Sequence, residues 1–241
     1  MANRQDIRNR RRKRKQQQRM VTVLIVVGVV FIFAAILMMP TITAAVTPVA
    51  DFIRPDVNPR PMANANTVGD PNAPVVIEAF SDFGCGHCGT FAQTTGEEII
   101  QKYVATGQVY FVYNSVGSLL GHPNSIVTAE AAYCAGDQNK FWEYHDILYA
   151  NQIDLFSNIN KSLDKTISAY AESLGLNVDA FEACLKSNKF QNDIQQDYIE
   201  ATQAGINSTP SFLVNGELVV GYLPFVEFQA LIEAALAKVS P

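Results

Sequence analysis

The sequence predicts an α/β domain with a β-α-β half and a β-β-α half, separated by a helical insertion and preceded by one transmembrane helix. Three observations predict it. Residues 75–81 (VVIEAFS) and 109–115 (VYFVYNS) are rich in β-branched and aromatic residues and flank a helical stretch, the pattern of a parallel crossover unit. From Asn124 to Gly205 strand signals vanish and helical periodicity takes over. Ser211-Phe212-Leu213-Val214, Asn215-Gly216 and Glu217-Leu218-Val219-Val220 then read as a hairpin, because Asn-Gly supplies a tight turn between two apolar runs.

Taken in order, residues 1–19 hold nine arginines and lysines against Asp6 alone, a net charge of +8. The rest of the 241-residue chain holds nine basic and 22 acidic side chains, a net of −13, so the overall −5 averages two opposed parts. A basic cluster by itself also fits nucleic acid. Here it abuts residues 20–39, which carry no charge, and about 20 apolar residues cross a bilayer as a helix. Positive charge beside such a helix stays cytoplasmic, which places the acidic remainder on the other side. A cleaved signal is the alternative, with Thr43-Ala44-Ala45 as its small-residue site, but signal apolar regions run only about 7–15 residues. The expectation is an uncleaved, single-pass anchor in the cell membrane, with a basic cytoplasmic segment, an extracytoplasmic folded part and no nucleic-acid partner.

Residues 40–69 contain Pro40, Pro48, Pro55, Pro59 and Pro61 without periodicity and read as an extended extracytoplasmic linker. The folded part is expected at 70–123 and 207–241, with the helical insertion at 124–206, long enough together for one well-buried core. Phe91, Ile99, Ile100 and Tyr103 give residues 85–106 an apolar helical face. Within the insertion, 125–135, 140–150, 164–174, 178–187 and 188–204 read as helices, the last stacking Phe190, Ile194, Tyr198 and Ala201 on one side. A final helix from Pro224 to about Lys238 buries Phe225, Phe228, Ile232 and Ala235.

The chemistry sits at residues 85–88, Cys-Gly-His-Cys, where the first strand meets the first helix. Two cysteines at this spacing open and close a disulfide with little backbone movement. At a helix N-terminus the first thiol faces unpaired N–H groups and the positive end of the dipole, which favours its thiolate. His87 adds charge or a hydrogen bond to that thiolate, or else faces solvent with little effect. Cys134 and Cys184 remain, without the paired spacing of a zinc ribbon. Disulfides persist outside the cytoplasm, so a structural bond between two helices is expected, with two buried free thiols as the alternative. His122, ahead of Pro123, reads as a turn residue, and His145, among Phe141, Trp142 and Tyr144, as a packing or surface residue. No phosphate-binding glycine loop or metal-ligand cluster is legible, so neither cofactor nor metal is expected.

This order, with Cys-x-x-Cys after the first strand and Thr209-Pro210 before the hairpin, resembles the thioredoxin fold. The insertion narrows the resemblance to the DsbA-like thiol–disulfide oxidoreductases. Three stretches carry it: Gly69 to Pro74 with Phe80-Ser81-Asp82-Phe83; Cys134-Ala135 with Lys140 to Asp146 and Asn151-Gln152; and Gly205 to Phe212. The resemblance covers residues 69–241 and implies a thioredoxin-like fold with an inserted helical subdomain. It also implies a cis Pro210, with the Thr209 backbone set beside the cysteines to pair with an extended substrate. Two positions depart from the family pattern. Gly86 stands where proline is frequent, making a tetrapeptide similar to that of protein disulfide isomerase. Ala79 stands where the family tends to carry a buried acid, and Glu78, one residue earlier, faces the other side of a strand.

Cys85 is accordingly expected as the attacking sulfur and Cys88, one turn into the helix, as the resolving one. The expected function is a membrane-tethered thiol–disulfide oxidoreductase that oxidises cysteine pairs in exported proteins or peptides. A reductase or isomerase using the same site is the alternative, which Gly86 keeps open. A tethered binding or chaperone module with a merely structural Cys85–Cys88 bond is a third reading. An oxidase must be reoxidised, and the resemblance implies a quinone-linked membrane protein as redox partner, brought close by the tether.

Overall fold

The computed structural model describes residues 4–46, 51–157 and 163–239, and residues 1–50 and 51–241 form two separate units. The first unit is a single helix, α1 (Arg4–Val46). It runs through both the basic segment and the uncharged stretch, and within it residues 12–36 are long and apolar enough to cross a membrane. At about 1.5 Å per residue such a stretch exceeds the roughly 30 Å of a hydrocarbon core. The expected anchor at 20–39 is therefore part of a longer helix, and Pro40 lies inside α1 rather than ending it.

In the second unit a mixed sheet has the order β1 (Thr67–Val68), β3 (Val109–Ser115), β2 (Val75–Ser81), β4 (Ser211–Val214), β5 (Glu217–Val220). Its centre is β2 (Val75–Ser81), parallel to β3 (Val109–Ser115) from Val75 opposite Val109 to Ser81 opposite Ser115. On its other side β2 pairs antiparallel with β4 (Ser211–Val214), which turns into β5 (Glu217–Val220) through Asn215 and Gly216, both at positive φ. The Asn215 side chain accepts from the Val76 N–H at 2.7 Å and locks the turn onto the central strand.

The crossover between β2 and β3 was expected as one helix, but it is broken. Helix α2 (Gly86–Gln93) ends at Thr94, α3 (Thr95–Ile99) starts again, and a π-helical turn (Ile100–Val104) completes it. The break lets the chain fold back on Phe91: a Cβ on Gly96 would stand 3.1 Å from the Phe91 carbonyl oxygen. Phe91 packs against Phe111, Phe212 and Phe228, the centre of the core on this face of the sheet.

A short α4 (Gly117–Leu120) leads into the insertion, which holds α5 (Ser125–Gly136), α6 (Phe141–Ala150), α7 (Gln152–Ser157), α8 (Leu163–Ser173), α9 (Val178–Ser187) and α10 (Gln191–Gln203). The separate α7 was not legible in the sequence. Cys134 of α5 and Cys184 of α9 are joined in a disulfide that bridges 50 residues. Helix α10 lies against the opposite face of the sheet, where Phe80, Val116, Ala201 and Ile206 form a second small core. Helix α11 (Phe225–Val239) closes the first face with Phe228, Ile232 and Ala235 buried and Phe225 half-buried.

The expected linker at 40–69 requires correction. Besides the part that continues α1, residues 51–69 are fastened to the folded unit. The Phe52 ring packs tilted against Tyr170 with centroids 4.6 Å apart, and Asn151 bonds both the N–H and the carbonyl of Ile53, each at 2.8 Å. Arg60 reaches Glu97 and Asp146 and lies over the Trp142 ring, whose N–H donates to the Thr67 carbonyl. Thr67–Val68 then form β1 on the edge of β3. Prolines and the lack of periodicity describe backbone shape but not side-chain docking, so composition alone could not reveal this strap.

Candidate active site

The site is built at the corner between β2 and α2. Asp82, fully buried, holds this corner with both carboxylate oxygens: Oδ1 accepts from the Gly84 N–H at 2.8 Å and the Ser125 hydroxyl at 2.5 Å, and Oδ2 pairs with His122 Nδ1 at 2.5 Å. Gly84 is required by close approach, since a Cβ there would lie 2.7 Å from His122 Cβ. From the other side, Gln152 Nε2 donates to the carbonyls of Phe83 at 2.6 Å and Cys85 at 2.8 Å. The segment carrying Cys85 is thus clamped from α6–α7 and from the loop before α5.

Cys85 is the N-cap residue of α2, and Cys88 lies one turn in. Both are free thiols, 7% and 1% exposed respectively. The Cys85 pKa falls to about 5, from an ordinary thiol value of 9.0. The largest cause is a hydrogen bond from the Cys88 side chain, opposed by burial and assisted by Thr209 and by the backbone N–H groups of Cys88 and His87. Burial raises Cys88 as well and is there the largest cause, so its pKa is pushed well up. One sulfur is therefore a stable thiolate and a good leaving group, while its neighbour holds its proton.

The Thr209–Pro210 peptide is cis, and the Thr209 carbonyl oxygen lies 3.4 Å from Cys85 Sγ. The Thr209 hydroxyl is buried without a hydrogen-bond partner among the described residues, a donor left for a thiolate at Cys85. The expected site residues Cys85, Cys88, Thr209 and Pro210 are brought together. His87 has an exposed side chain, and what it gives Cys85 is its backbone N–H. Glu78 is half-buried, its pKa raised by burial and then by Glu200, while neighbouring Ala79 is fully buried. Cys134 and Cys184 belong to the insertion, with Glu130 beside the bonded sulfurs. His122, read as a turn residue, is instead the partner of Asp82. Sequence reading singled out Asp82 and Gln152 only as members of family-like stretches. Their roles needed residues 40 and 67 positions away along the chain.

A family profile described as Thioredoxin matches residues 63–234. The chain belongs to the thioredoxin family. Among solved structures, this thioredoxin-family chain is similar to oxidised BdbD from Bacillus subtilis, with a TM-score of 0.63 and 21% identity over 72% of this chain and 93% of that one. It is likewise similar to alpha-DsbA1 from Wolbachia pipientis, with a TM-score of 0.64 and 22% identity over 75% of this chain and 94% of that one. Its fold is DsbA-like: a thioredoxin-like α/β unit with an inserted helical subdomain, accompanied by one N-terminal helix long enough to span a membrane.

Among curated proteins it is 32% identical to the Na(+)/H(+) antiporter NhaA 1 of Salinispora arenicola, over 70% of this chain and 24% of that protein. It is 25% identical to the putative protein-disulfide oxidoreductase RP025 of Rickettsia prowazekii, over 70% of this chain and 62% of that protein. The chain thus spans about a quarter of the antiporters it matches. The DsbA-like fold sets the two free thiols, Cys85 and Cys88, at the start of α2 beside the cis Thr209–Pro210 peptide.

Proposed function

We propose that the chain is a membrane-tethered oxidoreductase that oxidises cysteine pairs in exported proteins or peptides through a Cys85–Cys88 disulfide. A substrate thiolate attacks Cys85 Sγ; the Cys85–Cys88 bond breaks and its electron pair leaves on Cys88. A second substrate thiolate then attacks the substrate sulfur of the mixed disulfide, and Cys85 departs as a thiolate. Substrate leaves oxidised, and the enzyme is left as the dithiol. Thr209 and Pro210 present a backbone edge to the substrate beside the reacting sulfur. The Cys134–Cys184 bond serves the stability of the helical insertion.

The observation that carries this reading is the preference of Cys85 for its thiolate, with a pKa of about 5, because stabilising the reduced form makes the disulfide form the stronger oxidant. The α1 helix supports anchoring, and the basic residues ahead of its apolar stretch support a cytoplasmic N-terminus. Reoxidation falls to a membrane redox partner, for which a quinone-linked protein is our reading.

The deciding experiment is the reduction potential of the Cys85/Cys88 pair, equilibrated against glutathione. A value of about −120 mV is expected for an oxidase, and one of about −270 mV would assign the reductase direction instead. Loss of exchange in Cys85→Ala separates both from a binding module with a structural bond.

A further inference from the structure

Exchange at Cys85 obliges Cys88 to change its protonation state. When the disulfide opens toward a substrate, an electron pair leaves on Cys88 Sγ, in surroundings where burial strongly favours the thiol. Glu78 is poorly placed to supply the proton. It alternates on β2 with Ile77 and Ala79, which are fully buried, and its charged neighbour is Glu200.

Behind Cys88 lies a cavity of about 20 Å³, room for a single water, lined among others by Cys88, Ala79, Ser81, Tyr113, Tyr149 and His145. The short Ala79 side chain leaves this space open. His145 is 5% exposed, and its ring meets Tyr113 and Tyr149 edge-on with centroids 5.1 and 4.8 Å away. Its Nδ1 stands 2.8 Å from Asp146 Oδ1. A carboxylate only accepts, so Nδ1 carries a hydrogen and Nε2 is the atom that binds and releases a proton. Asp146 is held in turn by Arg60 Nη2 at 2.9 Å, and Arg60 also bonds Glu97. Glu97, Asp146 and Tyr149 line a second, wider cleft of about 140 Å³, and the two carboxylates are 15% and 16% exposed. Cys88 and His145 thus line one small, mostly apolar cavity, and from His145 a hydrogen bond leads through Asp146 to the outer cleft.

We propose that His145, oriented by Asp146 and Arg60, delivers and removes the Cys88 proton across this cavity. In the oxidising step the Cys85–Cys88 bond breaks and a bond forms between the substrate sulfur and Cys85. The electron pair leaves on Cys88 Sγ, and the His145 imidazolium gives up its Nε2 proton to that sulfur through a water in the cavity. The neutral Nδ1–H tautomer remains, paired with Asp146, and is reprotonated from the cleft. The reverse step returns the proton, and no electrons pass along this route. Tyr113 from β3, Tyr149 from α6, Glu97 from α3 and Arg60 from the strap face His145 besides Asp146. Cys88 also has Cys85 and the Asp82 corner beside it.

The inference rests on thiol exchange at Cys85, and its test keeps the two apart. Reduced full-length protein is mixed by stopped flow with an internally quenched peptide disulfide between pH 5 and 9. The concentration-dependent phase reports attack by Cys85, and the concentration-independent phase reports attack by Cys88 on the mixed disulfide. In His145→Gln the second phase is expected to slow by about tenfold or more at pH 7. Its rate should then climb about tenfold per pH unit, as for an unaided thiol. As a readout that needs no variant to fold, the His145 imidazole in the wild-type protein is titrated by NMR in dithiol and disulfide forms, where its midpoint is expected to differ. A second phase with the same pH profile in both proteins, or one His145 midpoint in both redox forms, overturns the relay and leaves exchange standing. Loss of the profile in His122→Gln but not in His145→Gln also overturns it, moving the role to Asp82. Absence of the first phase refutes exchange itself.

Discussion

The Cys85 thiol donates to the Thr209 carbonyl oxygen at 3.4 Å, across 124 residues of chain. The sulfur that attacks a substrate and the backbone edge that can hold it therefore share one place. The thiol occupies the Thr209 carbonyl in the dithiol form. Once the proton is gone, the sulfur accepts instead, from the Cys88 thiol and nearby N–H groups.

Cys85 should titrate with a midpoint of about 5, followed by thiolate absorbance or alkylation rate, and Cys88→Ala should move that midpoint up because the Cys88 hydrogen bond is its largest cause. The sign of the linkage follows. The folded value lies below the unfolded thiol value of 9.0, so the contribution is complete above pH 9 and lost as pH falls through about 5. Denaturation midpoints of the dithiol, relative to the disulfide form, should therefore rise between pH 5 and 8. A flat difference would contradict the assignment.

Arg60→Met should loosen the strap. The side chain is 6% exposed, and its removal takes away the guanidinium shared by Glu97 and Asp146. Breaking such a pair from one side costs about 3 kcal/mol. The expected result is a lower melting temperature together with new protease cleavage within residues 51–66, while residues 70–241 stay resistant. Unchanged melting would mean that the strap adds nothing to the fold.

Replacing both Cys134 and Cys184 by Ala should destabilise the insertion. A crosslink spanning 50 residues is worth about 4 kcal/mol in the chain-entropy account. The urea midpoint should fall accordingly. The Cys85 titration should hold its position, because none of the groups that set it belongs to α5 or α9.

Asp197 supplies a pH signature of its own. It accepts from the Ser115 N–H at 2.8 Å and the Tyr133 hydroxyl at 2.6 Å, yet burial raises its pKa from 3.8 to about 6. A raised carboxyl pKa stabilises the fold below the unfolded value and loses that stabilisation as pH climbs through the folded one. Wild-type stability relative to Asp197→Asn should thus decline between pH 4 and 6, by up to about 3 kcal/mol. A difference independent of pH would refute it.

Legibility in the sequence divided along physical lines. The strands at 75–81 and 109–115 and the Asn-Gly hairpin were readable because strand propensity and turn chemistry are local. The break at Thr94 was not, since it serves the packing of Gly96 against Phe91 across the turn. The strap at 51–69 was missed for the same reason: Phe52, Arg60 and Asn66 find their partners at Tyr170, Asp146 and Tyr113.

A cysteine pair opening a helix after a buried strand, behind an apolar stretch flanked by positive charge, is readable from residue order alone. Covalent spacing and hydropathy suffice for that, because both act between near neighbours in the chain. What surrounds each sulfur came from the folding of distant segments together. It set Thr209 beside Cys85, gave Asp82 its partner in His122, and opened the space under Ala79 between Cys88 and His145. Proton affinity inside a protein depends on burial and on groups within a few ångströms, and those neighbours come from distant segments of the chain.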